Sequence, residues 1–340
     1  MSNGYTLAIR ARQVSRRFGD VVALDDFNLD IHSGNVITIL GPSGSGKTTA
    51  LRLMAGFDRP DQGSVEIGGV TVADDETFIP PERRRVGMVF QDYALFPHLN
   101  VARNVGYGVP KTARRRRVGE TLELVGLTGK ESRMPHELSG GEQQRVAIAR
   151  ALAPAPSVIM LDEPFSNLDA ALRTRVSAEV AEILRTAGTT AVFVTHDQEE
   201  ALSTSDFVAV MRAGRVVQAA RPSDLYHEPV DEWVAGFLGD ADFFNGHAVA
   251  GKVTTPVGDF PTDLDGSVRV MIRPESVLLS PSDNGGAVVR QRQFFGHDQL
   301  VTVVLRNGLQ LRARLGPTPN FEAGDAVTVS VERATAFPAN

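Results

Sequence analysis

One stretch decides the fold of this chain: Gly41-Pro42-Ser43-Gly44-Ser45-Gly46-Lys47-Thr48. Its spacing, G-x-x-x-x-G-K-T, is typical of a loop that wraps backbone N–H groups around the phosphates of a nucleotide. A β-rich run, Val36–Leu40, precedes it, and residues Thr49–Ala55 have the pattern of a helix start. The loop is therefore expected at a helix N-terminus, where anions bind. Lys47 should reach the terminal phosphates, and the Thr48 hydroxyl should bind Mg²⁺.

A second predicted strand ends in two carboxylates. The apolar run Val158–Leu161 predicts a buried parallel strand, and Asp162 and Glu163 follow it. Asp162 should bind Mg²⁺ through water, because this cation prefers oxygen ligands and keeps part of its water shell. Glu163 is then free to accept a proton from an attacking water. A solvated acidic pair is the alternative, but doubly wound sheets bind ligands beyond the carboxyl ends of their strands, where the phosphate loop also lies.

A third motif, Leu138-Ser139-Gly140-Gly141-Glu142, precedes the helical run Val146–Leu152. Ser139 and Glu142 have the spacing of a capping box that opens an amphipathic helix. Two glycines in the first turn would also expose N–H groups and a hydroxyl, which makes a second anion site. This motif resembles the LSGGQ signature of the ATP-binding subunits of ABC transporters, and with the first two motifs it identifies the chain as a member of that family.

The resemblance implies roles for further residues. Phe18 matches the aromatic residue that stacks on adenine, although many relatives have Tyr or Trp there. Gln91, after the predicted strand 86–90, matches the glutamine that senses Mg²⁺ and the γ-phosphate. Residues Ser166–Asp169 match the loop that couples two subunits. His196, after the predicted strand 191–194, matches the switch histidine that contacts the γ-phosphate.

The expected site therefore consists of three overlapping sets of residues. Catalytic side chains are expected at Lys47, Gln91, Glu163 and His196. The metal ion is expected at Thr48, Gln91 and Asp162. Contacts with ATP are expected at Phe18, Gly41, Ser43, Gly44, Ser45, Gly46, Lys47, Thr48, Thr49, Ser139, Gly140, Gly141 and Asp169.

Composition excludes several classes of site. The chain has no cysteine, so disulfides and thiolate metal sites are excluded, and its seven histidines form no i, i+4 pair that would indicate zinc. A net charge of −6 argues against a general nucleic-acid binder. No apolar run approaches the roughly 18 residues that span a bilayer, and the start MSNGYTLAIRARQ has no signal-peptide core. We expect a peripheral protein at the cytoplasmic face of the inner membrane, which it meets through partners.

The 340 residues exceed the usual size of one core, so two domains are expected. The predicted fold class is α/β: a P-loop NTPase cassette of the ABC type over residues 1–239, with an antiparallel β-subdomain around residues 5–67 and a helical subdomain over about 92–152. Residues 240–340 have short alternating runs such as Val268–Ile272, Leu300–Leu305 and Ala326–Val331, separated by Gly-containing turns. This pattern of short alternating runs and turns predicts a small OB-like β-barrel.

The barrel indicates an importer. Two segments, Ile272–Glu275 and Phe295–Asp298, resemble the C-terminal accessory domain of importer ATPases, which exporter ATPases seldom carry. Whether this domain senses a ligand or only braces a dimer stays open, because small barrels usually fill their interiors with side chains.

The resemblance also implies the partners. In the family, the signature of one subunit closes over ATP held by the other, so a homodimer is expected, together with two transmembrane permease subunits and, indirectly, an extracytoplasmic substrate-binding protein. The mostly apolar run Tyr93–Pro97 after Gln91 predicts a surface on which the permease docks. No contact with nucleic acid is expected.

The predicted function is ATP hydrolysis that drives import. The stretch Gln91–Val105 resembles the branch of the family that serves ferric iron, with polyamine, sulfate, thiamine, phosphonate and sugar importers close to it. The alternative class is an ABC ATPase that acts on nucleic acid or ribosomes without a membrane partner. Ribosomal members usually carry two cassettes in one chain, whereas this chain has one set of motifs.

Overall fold

A computed structural model describes residues 6–339, apart from the side chains of residues 170 and 171. The chain divides into two compact units, residues 1–225 and 226–340. The domain boundary predicted after Gly239 stays a prediction, and this division comes earlier in the chain. Tyr5, at which the predicted β-subdomain begins, lies outside the described residues.

Strands and helices are interspersed along the first unit. In chain order they are β1 (Leu7–Phe18), β2 (Val21–His32), β3 (Val36–Leu40), α1 (Lys47–Ala55), β4 (Gln62–Ile67), β5 (Val70–Ala73), β6 (Val86–Val89), α2 (Val101–Val105), α3 (Arg114–Leu124), α4 (Gly140–Leu152), β7 (Val158–Asp162), α5 (Ala170–Thr186), β8 (Thr190–Thr195), α6 (Gln198–Thr204), β9 (Phe207–Arg212) and β10 (Arg215–Ala220), and α7 (Pro222–His227) crosses the division.

A six-stranded sheet with the order β10-β9-β3-β8-β7-β6 forms the centre of the first unit. Its strands are parallel except for β10, which pairs antiparallel with β9. All residues of β3 and β8 are buried, as expected of parallel strands covered on both faces. Leu40 pairs with Thr195, and Asp162 pairs with Val194, so these strands end at one edge of the sheet.

A four-stranded antiparallel sheet, with the order β2-β1-β4-β5, accompanies the central sheet. Helix α1 lies between them, since one core cluster contains Ile9 and Phe27 from the antiparallel sheet, Leu51 from α1, and Ile39 and Met160 from the central sheet. Burying this shared apolar surface fixes the start of α1, and with it the phosphate loop, against both sheets.

Arg84 is a buried cation in the same region. Its guanidinium donates to the carbonyls of Leu53 and Met54 at the end of α1, to Val72 of β5 and to Ile79. No carboxylate takes part in these hydrogen bonds, and burial lowers the pKa of Arg84 to about 10. The side chain thus adds hydrogen bonds to carbonyls in the last turn of α1, where regular helical partners run out.

Helices α2, α3 and α4 form the predicted helical subdomain around a separate cluster that includes Val105, Leu122 and Val146. Asn104 is fully buried at its edge, where its amide accepts from Phe96 N and donates to the carbonyls of Phe96 and Leu99. This amide fixes the loop that leads from β6 into α2.

That loop corrects one sequence prediction. Tyr93, which we expected on an exposed docking surface, is only 7% exposed and belongs to the core. Leu95 and Phe96 are half-buried, and the Phe96 ring lies 4.5 Å from the ring of exposed Tyr107. Arg150 of α4 donates to the carbonyl of Tyr93 at 2.8 Å and thereby holds the loop against the core.

The second unit contains one further α-helix, a short 3-10 helix (Pro274–Ser276) and ten strands within its described part. They are α8 (Glu232–Leu238), β11 (Asp242–Val249), β12 (Lys252–Thr255), β13 (Gly258–Pro261), β14 (Gly266–Ile272), β15 (Val277–Pro281), β16 (Ala287–Phe294), β17 (Gln299–Leu305), β18 (Gln310–Leu315), β19 (Ala326–Val331) and β20 (Thr335–Pro338).

These strands form two five-stranded antiparallel sheets, with the orders β13-β12-β11-β14-β20 and β15-β19-β16-β17-β18. One apolar cluster joins the two sheets, with Val270 on one side and Val303 on the other. The three runs that the sequence predicted as strands are confirmed as β14, β17 and β19. Within the described residues, no helix is both long and apolar enough to cross a membrane.

Candidate active site

The phosphate loop connects the end of β3 to the start of α1. Gly44 and Gly46 have φ values of +79° and +100°, in the left-handed region that favours glycine. A Cβ atom on Gly46 would lie 2.3 Å from the carbonyl oxygen of Ala23, and one on Gly41 would lie 2.5 Å from that of Met211. The glycines of the motif are therefore required by conformation and by close backbone approach.

Lys47 begins α1 inside this loop. Its side chain is buried, and Nζ donates to the carbonyls of Gly41 at 2.8 Å and Pro42 at 3.0 Å. Burial lowers the pKa of Lys47, while the charges of Glu163 and Asp162 oppose this effect. The ammonium group is thus held at the loop beside two carboxylates, where it can bind an anion.

Asp162 ends β7 next to the phosphate loop. Thr48 Oγ1 donates to Asp162 Oδ1 at 3.1 Å, which joins the two residues expected to bind Mg²⁺. Burial raises the pKa of Asp162, and the nearby charge of Glu163 raises it further. A cation at this position would favour the ionised carboxylate.

The donor set fits Mg²⁺ in its chemistry. A hydroxyl and a carboxylate are hard oxygen ligands, and Mg²⁺ completes its coordination with waters and substrate phosphates rather than with an all-protein cage. Among the described residues, no group of three or more His, Cys, Asp or Glu side chains could hold a metal ion. The hydroxyl of Thr48 and the carboxylate of Asp162 are ligands of the kind that Mg²⁺ takes together with waters and phosphates.

Glu163 follows Asp162 with φ at +43°, which is rare for a residue with a side chain. Its backbone N–H donates to Val194 at 2.9 Å, and its carbonyl accepts from the Ser166 hydroxyl. His196 Nδ1 lies 3.3 Å from Glu163 Oε1, so the ends of β7 and β8 bring these two predicted catalytic side chains together.

A cleft of about 420 Å³ lies over the phosphate loop. Its lining residues are Phe18, Val21, Val22, Ala23, Ser43, Gly44, Gly46, Lys47, Thr48, Thr49 and Glu163. Most of them belong to the predicted site. Sequence reasoning missed Val21, Val22 and Ala23; the only signal in the sequence was the pair of valines that follows the turn after Phe18.

Phe18 lies at the end of β1 and is 45% exposed. The guanidinium of Arg16 is 4.7 Å from the centre of its ring, and Arg16 is held in turn by Asp61 at 2.6 Å. Phe18 lines the cleft, which is where a residue that stacks on a base would lie.

Several predicted residues lie outside the cleft lining. Gln91 is exposed, and its carbonyl accepts from Asn167 at 2.9 Å. Asp169 caps α5 by accepting from Leu172 N. The structure thus joins the loop after β6 to the loop after β7, but it does not place the Gln91 side chain among the residues that line the cleft.

The signature segment opens α4 with the predicted capping box. Ser139 Oγ accepts from Glu142 N, and Glu142 Oε2 accepts from Ser139 N at 2.8 Å. Lys130 also binds Glu142, and hydrogen bonds from Lys130 and Ser139 lower the pKa of Glu142 to about 2. Within the described chain, the residues that line the cleft do not include Ser139, Gly140 or Gly141.

Comparison with known proteins identifies the family. A model described as ABC transporter matches residues 24–166, and a model described as TOBE domain matches residues 270–337. The structure is similar to that of CbiO1 from Clostridium perfringens, part of the ABC transporter complex CbiONQ, with a TM-score of 0.60 and 29% identity over 66% of this chain and 92% of that one.

Proteins with similar sequences identify the same family over a larger part of the chain. The Fe(3+) ions import ATP-binding protein FbpC of Pseudomonas fluorescens is 46% identical over 85% of this chain and 85% of its own length. The protein FbpC 1 of Rhodococcus jostii is 42% identical over 98% of this chain and 100% of its own. The spermidine/putrescine import ATP-binding protein PotA of Roseobacter denitrificans is 41% identical over 99% of each chain.

The chain therefore belongs to the ATP-binding proteins of ABC transporters. More particularly, it is one of the import ATP-binding proteins that carry a C-terminal TOBE domain, an OB-like fold. It binds ATP and is an ATPase, and the predicted fold class is confirmed.

Proposed function

We propose that this chain is the energy-coupling ATPase of an importer for ferric iron. The observation that carries the proposal is similarity along the chain to two proteins named for Fe(3+) import, at 46% and 42% identity. Polyamines are the second candidate cargo, because a protein named for spermidine/putrescine import is 41% identical over 99% of this chain.

Hydrolysis is assigned to the cleft over the phosphate loop. Glu163 is the proposed general base that accepts a proton from the attacking water. His196, at 3.3 Å from Glu163, and buried Lys47 would stabilise the negative charge of the transferring phosphoryl group. This reaction depends on positioning and charge neutralisation, with little covalent chemistry from the protein.

The metal ion has a defined place in this proposal. Thr48 and Asp162 would hold Mg²⁺, which when bound neutralises charge on the β- and γ-phosphates. Gln91 is proposed to report on this site from the end of β6, at the same edge of the sheet.

A second copy of the chain is proposed to complete the site. The N-terminus of the 13-residue helix α4 offers backbone N–H groups and the Ser139 hydroxyl to an anion, yet this segment is not among the residues that line its own cleft. We therefore place the Ser139–Gly141 segment of one copy over ATP bound by the other, so that closure depends on the γ-phosphate.

The proposed permease site is a groove of about 830 Å³ on the helical subdomain. The lining is partly apolar and partly charged. The apolar surface comes from Leu99, Ala102, Tyr107 and Val118, and the charged side chains are those of Arg103, Lys111, Arg114, Arg115 and Glu131. Tyr107 also packs on Phe96, which links the groove to the loop after Gln91. The groove suits a short permease segment with an apolar face and acidic residues at its edges.

Binding to the permease tests this placement. Tyr107 is 63% exposed, and aromatic residues commonly dominate binding energy at interfaces, so Tyr107→Ala should weaken co-purification with the permease. Val70→Ala is the control, because Val70 is 57% exposed in the antiparallel sheet. Equal recovery of the permease with both variants would contradict the proposed docking site.

The cargo is tested in proteoliposomes that contain the complete transporter and its binding protein. ATP hydrolysis should rise when the binding protein is loaded with ferric iron, and radiolabelled iron should accumulate inside. Stimulation by spermidine but not by iron would instead support the polyamine assignment.

A further inference from the structure

Arg173 connects two loops at the nucleotide edge of the central sheet. It lies in the first turn of α5, where one guanidinium nitrogen donates to the carbonyl of Leu168 at 3.0 Å and the other donates to Asp197 Oδ2 at 3.1 Å. Leu168 belongs to the loop that follows Glu163, and Asp197 directly follows His196. One side chain thus holds the loops of two proposed catalytic residues that come from different strands.

The His196 loop is fixed from both sides by a ring of hydrogen bonds. Thr195 Oγ1 donates to Glu200 Oε2 and accepts from Asp197 N, both at 3.1 Å. Asp197 Oδ1 in turn caps α6 by accepting from Glu200 N at 3.0 Å. Because Arg173 binds the second oxygen of Asp197, it acts on the residue that anchors both the loop and the helix.

The other end of the connection reaches the signature segment. Leu168 is buried in one apolar cluster with Ala147 and Ile148 of α4, the helix that the signature segment opens. Helix α4 therefore packs with the same loop that Arg173 holds. In spatial order, the connection runs from α4 to Leu168, then through Arg173 to Asp197, which directly follows His196.

We propose that Arg173 is a positioning residue that makes the geometry of Glu163 and His196 depend on the position of the signature segment. The inference rests on the catalytic roles proposed above for Glu163 and His196. Arg173 is not among the cleft-lining residues, so it acts through the loops rather than on ATP. A role in stability alone is the competing explanation, but partly exposed ion pairs such as this one contribute little to folding.

Two conservative variants of the full-length chain isolate the connection. Arg173→Lys keeps the charge but replaces the planar fork that reaches two acceptors. Asp197→Asn keeps an oxygen for the α6 cap, since Asn is a good N-cap residue, and removes the charged acceptor. We expect each variant to lower kcat by about 10- to 100-fold, the range for slight misplacement of catalytic groups, while KM for ATP stays unchanged.

The measurement is steady-state ATP hydrolysis, expressed per nucleotide-binding site as counted by titration with a fluorescent ATP analogue. The double variant should be no slower than the slower single variant, because both substitutions break one connection. Arg175→Lys is the matched control on the same helix, since Arg175 is 71% exposed and pairs only loosely with Glu179 at 3.9 Å.

The outcomes separate this inference from the proposed site. If Glu163→Gln hydrolyses ATP at the wild-type rate, the proposed catalytic assignment is wrong. If Glu163→Gln is inactive but Arg173→Lys and Asp197→Asn turn over like Arg175→Lys, only the positioning role is overturned. The positioning role would also be overturned if the two substitutions lowered kcat additively in the double variant. The same holds if the lower activity of the variants came only from a smaller number of folded nucleotide-binding sites.

Discussion

Glu163, the proposed general base, has an unfavourable backbone conformation. A non-glycine residue in the left-handed region costs on the order of 1–3 kcal/mol and persists where its surroundings hold it. Here Val194 and Ser166 bind its backbone on both sides, while its side chain lines the cleft. The strained turn after β7 therefore serves to direct this carboxylate toward the phosphate loop.

Replacing Glu163 with Gln should leave ATP binding intact and slow hydrolysis by about 10²- to 10⁴-fold, the range for loss of a general base. The variant should also trap an ATP-bound dimer, because the γ-phosphate would persist between the copies. Phosphate release and size-exclusion chromatography with ATP and Mg²⁺ measure these effects. Glu66→Gln, on β4, is the control, and comparable turnover of the two variants would refute the role of Glu163.

The position of a residue could be predicted from the sequence where it depends on the local motif. It could not be predicted where it depends on packing against residues that are distant in the chain. Lys47, Asp162 and Glu163 lie within a few residues of a predicted strand end or helix start, so their placement at one edge followed from topology. Tyr93 was wrongly expected at the surface because Arg150, 57 positions away, holds its loop inward. The contacts of Arg173 could not be predicted from the sequence, because its partner Asp197 is 24 positions away.

At the scale of elements, α6 contains a buried acid whose ionisation opposes folding. Glu200 is 7% exposed, and burial raises its pKa from 4.5 to about 8, with added repulsion from Asp197 and Glu163. Thr195 and Arg173 act in the opposite direction. Because the folded state holds this proton more tightly than the unfolded state, the stabilisation from Glu200 is complete below about pH 4.5 and is lost as pH rises toward 8.

Glu200→Gln should remove this dependence on pH. The amide still offers an oxygen to Thr195 but carries no proton to lose, so the variant should match the wild type near pH 5 and exceed it in stability near pH 9. Urea denaturation across this range gives the free energy of unfolding. Parallel pH profiles for the two proteins would show that Glu200 does not titrate between the two states.

Element types were predictable where side chains repeat with one period. The apolar run Val158–Leu161 indicated the buried strand β7, and Ser139 with Glu142 indicated the start of α4. The pairing of the ten C-terminal strands into two sheets was not predictable, because short alternating strands have similar patterns and their order depends on distant contacts.

At the scale of the molecule, the chain should still bind ATP after a cut at Gly239, because all predicted nucleotide contacts lie before it. The cut should, however, expose apolar surface. Ala235 of α8 is fully buried against Met271 and Phe337, and Arg273 donates to the carbonyl of Gly239 at 3.0 Å. A chain ending at Leu225 lacks α8 and provides the comparison.

Residues 1–239 should therefore bind more of a dye specific for apolar surface than residues 1–225, while both fragments bind ATP like the full-length chain. Fluorescence of the dye and nucleotide titration measure the two properties. If neither fragment binds ATP, the cassette depends on the C-terminal residues and the predicted domain boundary is wrong.

The four backbone carbonyls that accept hydrogen bonds from Arg84 have a consequence for local unfolding of the first unit. Local unfolding of β5 would remove Val72 from the guanidinium, and fraying of α1 would remove Leu53 and Met54. Either event would leave a buried cation without its full set of acceptors, which is costly. We expect the amides of α1 and β5 to exchange with deuterium in a single cooperative step. In Arg84→Met, the two elements should exchange at different rates.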